Sequence, residues 1–127
     1  TQTNPKVDEN IALHTSKDVM KILKKGCYDC HSYNTNWPSY SKIAPISFLV
    51  TSHVNDARAA LNFSKWDEID NNIKKLRLKR AIVTVKNGRM ALPSYLSMHK
   101  EAVLSQTEKK VLLKWFQKEL SEIKENK

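Results

Sequence analysis

Two cysteines three residues apart, with a histidine directly behind them, constrain this chain more than anything else in its 127 residues. They are Cys27, Cys30 and His31, in the string Cys-Tyr-Asp-Cys-His, and the chain has no other cysteine. That spacing is the one used for covalent attachment of c-type haem. Two thiols about one helical turn apart can add to the two vinyl groups on one edge of the macrocycle. The next residue, His31, is then carried beneath the iron as its proximal ligand. One covalently bound haem c is therefore expected.

Other uses of the pair fit less well. A zinc site wants four nitrogen or sulfur ligands, usually as two separated pairs, and here His14, His53 and His99 stand singly. A thioredoxin-like C-x-x-C opens a helix after a strand, whereas the segment before Cys27 reads as a helix. A structural disulfide between such near neighbours closes almost no loop and stabilises little.

The remaining residues suit one all-α domain spanning 1–127. Hydrophobic residues make up 40% of the chain, enough for a core, and two glycines and four prolines are too few for a turn-dense β-sandwich or barrel. No apolar run approaches the roughly 18 residues needed to cross a bilayer. The chain begins at Thr1 without a methionine or a signal-like stretch, which leaves room for an export or anchor segment removed from its N-terminus.

Residues 1–13 read as an extended lead-in. Thr15 or Ser16 caps a helix from about Lys17 to Lys25, with Val19, Ile22 and Leu23 as its apolar stripe and Gly26 as its stop. From His31 to Pro45 the text is a polar loop in which Tyr33, Trp37 and Tyr40 are embedded. Those aromatics either cover a haem face or fold back onto the helices. Pro45 opens a second helix to about Leu61, with Ile46, Leu49, Val50, Val54, Ala57 and Leu61 at helical spacing. His53 falls on that stripe. It is either a core histidine bonded to a backbone carbonyl, a haem-pocket contact, or an iron ligand. Ser64, Asp67 and Glu68 look like the start of a third helix reaching about Val85, with Ile69, Ile73, Leu76, Ile82 and Val85 buried. Asn87-Gly88 makes a turn. Ser105-x-x-Glu108 is a capping box that opens the last helix, with Val111, Leu112, Trp115, Phe116, Leu120 and Ile123 on one side.

A haem on His31 leaves a sixth iron position. Met20 precedes the motif and is poorly placed for it. Met90 lies 59 residues after His31 (90 − 31), in a loop between two helices that can present a thioether, and it is the favoured ligand; Met98 is the alternative. Histidine–methionine ligation raises the potential and suits an electron carrier. An open or labile sixth position would point instead to binding of a diatomic gas or reduction of peroxide.

Several separated stretches occur in an order that resembles the bacterial haem-binding domain family. They are Cys-Tyr-Asp-Cys-His-Ser at 27–32, Asn-Thr-Asn-Trp-Pro and Tyr-Ser-Lys-Ile-Ala-Pro-Ile-Ser between residues 34 and 47, His53-Val54, Leu-Asn-Phe-Ser at 61–64 with Trp66, and Met90-x-Leu-Pro-Ser-Tyr. The resemblance runs from about Asn4-Pro5 to Trp115. It implies a periplasmic, all-helical, single-haem c-type cytochrome, often behind an N-terminal membrane anchor, with Cys27 and Cys30 as attachment sites, His31 as proximal ligand and Met90 as distal ligand. Two positions depart from the family's pattern. Ala91 stands where a proline is usual after the methionine, which loosens that loop, and Ser39 stands where a second tryptophan is usual, which opens one haem edge. The fold expected is cytochrome c-like, about four helices with long loops, the last helix crossing the first.

Charge adds a surface. The chain carries a formal +9. Residues 1–63 contribute +2 (7 basic, 5 acidic) and residues 64–127 contribute +7 (15 basic, 8 acidic). From Lys74 to Arg89 there are seven basic side chains and no acidic one. Such a surface steers an acidic redox partner by long-range attraction, or meets anionic lipid headgroups. No nucleic-acid-binding motif accompanies it. The expectation is a non-enzymatic, one-electron carrier.

Overall fold

The computed structural model describes residues 2–88, 90 and 99–123. The protein is all-α, and among the described residues there is no strand. Among the described residues five α-helices follow in order: α1 (Lys17–Gly26), α2 (Tyr28–His31), α3 (Ile46–Ala60), α4 (Asn71–Lys86) and α5 (Gln106–Glu122), with short 3-10 turns at Ser39–Lys42, Phe63–Glu68 and Lys100–Ala102. Four are the expected long helices; α2 is a single turn made by the Cys-x-x-Cys-His motif. The chain forms two compact units, neither of them continuous in sequence. One comprises Thr1–His14 and Cys27–Glu68, the other Thr15–Gly26 and Ile69–Lys127.

The unit containing the motif packs α2 against α3 and against the 3-10 turn at Phe63–Glu68. The lead-in is tied to that turn, because Leu13 N–H donates to the Phe63 carbonyl at 2.8 Å and Asp67 N–H to the Ile11 carbonyl at 2.8 Å. Ala12 and Leu13 are buried as a result. The expected start of a helix at Ser64 is not what forms. Ser64 receives the Tyr33 N–H at 2.9 Å, and the Asn62 side chain receives the Ser64 N–H at 3.0 Å, so the local polar groups close a 3-10 turn instead.

The other unit packs α1 and α4 against α5. α1 buries Val19, Ile22 and Leu23, as its periodicity predicts. Ser16 caps it, its hydroxyl accepting the Val19 N–H at 3.3 Å, while the Thr15 hydroxyl accepts the indole N–H of buried Trp115 at 3.2 Å. Gly26 does not end α1 through a left-handed conformation, since Gly88 is the one described residue with positive φ. Gly26 is small because the chain passes close by. A Cβ there would meet the Ala102 carbonyl and the Leu104 side chain, each at 3.3 Å.

α4 begins seven residues later than Ser64, at Asn71, where the Asp70 carboxylate accepts the Asn72 and Ile73 N–H groups at 3.0 and 3.3 Å. Its buried residues are Leu78 and Val85. Ile73 and Leu76, expected inside, are exposed. The periodicity misled because α4 carries aliphatic residues on two sides. The Asn87-Gly88 turn forms, with Gly88 at φ 76°. α5 opens on the complete capping box, Ser105 to Glu108 and back, and buries Leu112, Trp115 and Phe116, while Val111 is exposed.

Candidate haem site

The site begins with one helical turn. The Cys27 carbonyl accepts the N–H groups of Cys30 at 3.2 Å and His31 at 2.9 Å. Residues 27, 30 and 31 therefore share one side of the turn, and Tyr28, three residues before His31, lies next to the histidine. Tyr28 is buried and stacks on Phe63, with centroids 5.4 Å apart and planes 9° from parallel. Phe63 is 1% exposed, meets the edge of the His31 ring at 6.4 Å and stacks on Trp66 at 5.7 Å. This aromatic stack anchors α2 through Tyr28 and His31. The following loop is fixed by the motif's own Asp29, whose carbonyl accepts the Thr35 hydroxyl at 2.6 Å and whose carboxylate accepts the Asn36 N–H at 3.0 Å.

His31 is held by its Nδ1, which lies 2.8 Å from the Leu61 carbonyl and 3.0 Å from the Ala57 carbonyl at the end of α3. Both partners only accept, so Nδ1 must carry the proton and donate. Burial pushes the imidazole's pKa down against the pull of those two carbonyls. The ring is neutral at pH 7, with its Nε2 lone pair left for a metal. A backbone carbonyl on the far nitrogen is the usual orienting partner of a ligating histidine.

Cys27 and Cys30 are free and half-buried. Burial, and secondarily each thiol's neighbours, push Cys27 up to about 12 and Cys30 up to about 11. A redox-active dithiol works the other way, through a depressed pKa. Among the described residues no three His, Cys, Asp or Glu side chains cluster as a metal site would require.

The residues present fit a haem. Ile46, Leu49, Val50, His53 and Ala57 share one face of α3 by their spacing, and the face ends at the carbonyl that holds His31. Ile46 and Leu49 are exposed, and Val50, His53 and Ala57 half-buried. The unit thus leaves an apolar wall open on the helix whose last turn holds His31. Val54 is the one residue that α3 fully buries.

The other sequence candidates fall as follows. The His53 side chain is half-buried, and among the described residues it makes no side-chain hydrogen bond. Trp37 donates its indole N–H to Asn4 Oδ1 at 3.1 Å, and Tyr40 is half-buried in the 3-10 turn at Ser39–Lys42. Tyr33 and Trp37 place their rings 5.2 and 5.9 Å from the guanidinium carbon of Arg58, so for these two the loop folds back on the protein. Met90 belongs to the unit without the motif. Its N–H donates to the Thr84 carbonyl at 3.2 Å, and its side chain is 38% exposed. Met98 lies outside the described residues.

Arg58 is the functional neighbour that spacing did not disclose. It donates Nε–H to the Ser32 carbonyl at 2.8 Å, one Nη to the Thr3 carbonyl at 2.9 Å and the other to Asn4 Oδ1 at 3.1 Å and Thr35 Oγ1 at 3.0 Å. One side chain ties α3, the lead-in and the loop after His31 together. Its only sequence signal is that no other arginine occurs before residue 77.

A protein that is all-α and presents this constellation is a haem-binding one in its donor chemistry. The profile of the haem-binding domain family matches residues 1–118, and the chain belongs to that family. No curated protein and no solved structure matches the chain.

Proposed function

We propose that this protein is a monohaem c-type cytochrome of the periplasm that carries single electrons. The observation that supports this best is the His31 arrangement: a neutral imidazole, fixed at Nδ1 by the Ala57 and Leu61 carbonyls, next to two free thiols one turn apart. Cys27 and Cys30 would hold one haem by two thioethers, and His31 Nε2 would hold its iron. Bound there, the haem supplies a ferric–ferrous couple. The chain's own part is positioning. The Nδ1 hydrogen bonds keep the imidazole in one tautomer and raise its basicity as a ligand. The aromatic stack of Tyr28, Phe63 and Trp66 keeps the motif turn from shifting, and the α3 wall keeps water from one side.

Met90 is the sixth ligand in this reading. Its support is its place in the sequence after α4, the family's Met-x-Leu-Pro pattern and an exposed thioether that its own unit does not bury. The net charge of +9 favours an acidic redox partner, met through weak, salt-sensitive docking. No substrate chemistry is assigned to the protein.

The test is absorption spectroscopy of protein matured in a periplasm, oxidised and reduced, with and without carbon monoxide. The expected result is a low-spin spectrum with the far-red band of sulfur ligation, unmoved by carbon monoxide. Met90→Ala should remove that band, lower the potential and admit carbon monoxide. A native protein that binds carbon monoxide at once has an open sixth position, and gas or peroxide handling then replaces electron transfer. A protein that leaves a competent maturation host without haem refutes the proposal.

A further inference from the structure

The exposed face of α4 combines two features that rarely share a surface. Ile73, Leu76 and Val83 are 50%, 55% and 58% exposed, and at 3.6 residues per turn they fall within about 80° of arc. Lys79 and Lys86 border this stripe on one side and Arg77 on the other, with Arg80 between Leu76 and Ile73. α4 contains no acidic residue along its whole length. α4 packs on α5 and buries Leu78 and Val85, so the stripe is the side left over.

We propose that this face of α4 docks on an anionic lipid bilayer surface, lying in the headgroup plane with the three aliphatic side chains dipped between headgroups. Charge fixes the sign of the partner, since a face with four cations and no acid calls for an anionic one. Composition then separates a lipid surface from an acidic protein. Protein interfaces concentrate their energy in Trp, Tyr and Arg and are depleted in Lys. α4 has no aromatic residue, and half of the four cations on this face are Lys. Aliphatic residues flanked by long, basic side chains whose stems lie along apolar surface are instead the make-up of an interfacial helix. No described helix is long and apolar enough to cross a membrane, so the contact is a surface one. The inference does not depend on the sixth ligand or on electron transfer.

The test is co-sedimentation of the mature full chain with phosphatidylcholine vesicles and with mixed phosphatidylcholine–phosphatidylglycerol vesicles, across a salt series. Binding to the mixed vesicles alone, weakening with salt, is expected. Each surface cation contributes roughly a fivefold effect near an anionic membrane, so Lys79→Gln/Arg80→Gln/Lys86→Gln should weaken binding by roughly a hundredfold. Lys110→Gln/Lys114→Gln/Lys118→Gln, which removes the same charge from the exposed side of α5, should weaken it far less. Ile73→Ser/Leu76→Ser/Val83→Ser should abolish the fraction that survives high salt. All three variants alter exposed side chains, and circular dichroism checks that each stays helical. No binding to mixed vesicles overturns the proposal, as does equal loss in the α4 and α5 charge variants, or an aliphatic variant that binds like the native chain. Retention by soluble polyglutamate without vesicle binding also overturns it, and gives the face to an acidic protein.

Discussion

Arg58 shows how much of this site rests on one side chain outside the Cys-x-x-Cys-His motif. Its guanidinium makes four hydrogen bonds to two segments, the lead-in and the loop after His31, and lies against two aromatic rings. A hydrogen bond from a charged donor contributes about 1.5–3 kcal/mol and an exposed cation–π contact about 0.5–1 kcal/mol, with strong non-additivity. Arg58→Ala should therefore cost about 2–4 kcal/mol of unfolding free energy, measured by urea denaturation of the mature protein. Arg58→Lys should recover less than half of this, because an ammonium cannot reproduce a planar fork reaching three directions. A lysine variant as stable as the native chain would mean that charge alone matters at this position. The turn that gathers Cys27, Cys30 and His31 was legible because it follows from spacing along the chain. Arg58 and Phe63 were not, since their partners lie far away in sequence: Thr3 is 55 residues from Arg58, and the ring that Phe63 supports belongs to Tyr28.

Among the elements, helix starts were readable where the cap completes its own bonds. Ser105 and Glu108 exchange both capping bonds, at 3.0 and 2.9 Å. Ser105→Ala should cost about 1 kcal/mol, seen as a lowered urea midpoint with an unchanged slope. Ser64 carries a similar signature and fails, because the Tyr33 N–H claims its hydroxyl; a pattern of side chains cannot say which donor arrives first. The buried face of α4 was legible only in part, Val85 being buried as expected while Ile73 and Leu76 are exposed, since period alone does not choose between Ile73–Leu76–Val83 and Leu78–Val85. Glu108 has a second task. The Lys25 ammonium at 2.7 Å, and after it the Ser105 N–H, hold its carboxyl below the usual glutamate value. The folded state therefore binds a proton there less readily than the unfolded chain. The stabilisation is complete above the ordinary glutamate pKa and is lost as pH falls through the depressed folded one. Stability measured from pH 6 downward should decline through that window, and Glu108→Gln should flatten that part of the decline. An unchanged acid limb in the variant would assign the acid sensitivity to other carboxylates.

For the whole molecule, the two units differ in what holds them together. The unit of α1, α4 and α5 buries Leu23, Leu78, Leu112, Trp115 and Phe116 from its own helices. In the motif unit the aromatic stack against α2 is buried, but α3 fully buries Val54 alone and leaves Ile46 and Leu49 of its apolar face to solvent. An amphipathic helix gains most of its stability from packing its apolar face, so α3 depends on whatever covers that face. If that cover is haem, a ligand that adds to the folded state alone, its removal should act on the two units unequally. A Cys27→Ala/Cys30→Ala chain made without haem should lose amide-exchange protection across residues 47–60 by orders of magnitude, while α1 and α5 keep most of theirs. The Leu61 and Ala57 carbonyls that orient His31 sit at the end of the melting helix, so the imidazole should lose its fixed tautomer in the same variant, visible in its ring nitrogen shifts. Protection of α3 equal to that of α5 in the haem-free chain would mean that the exposed stripe is self-sufficient, and the wall assigned to the cofactor would have to be sought elsewhere on the unit.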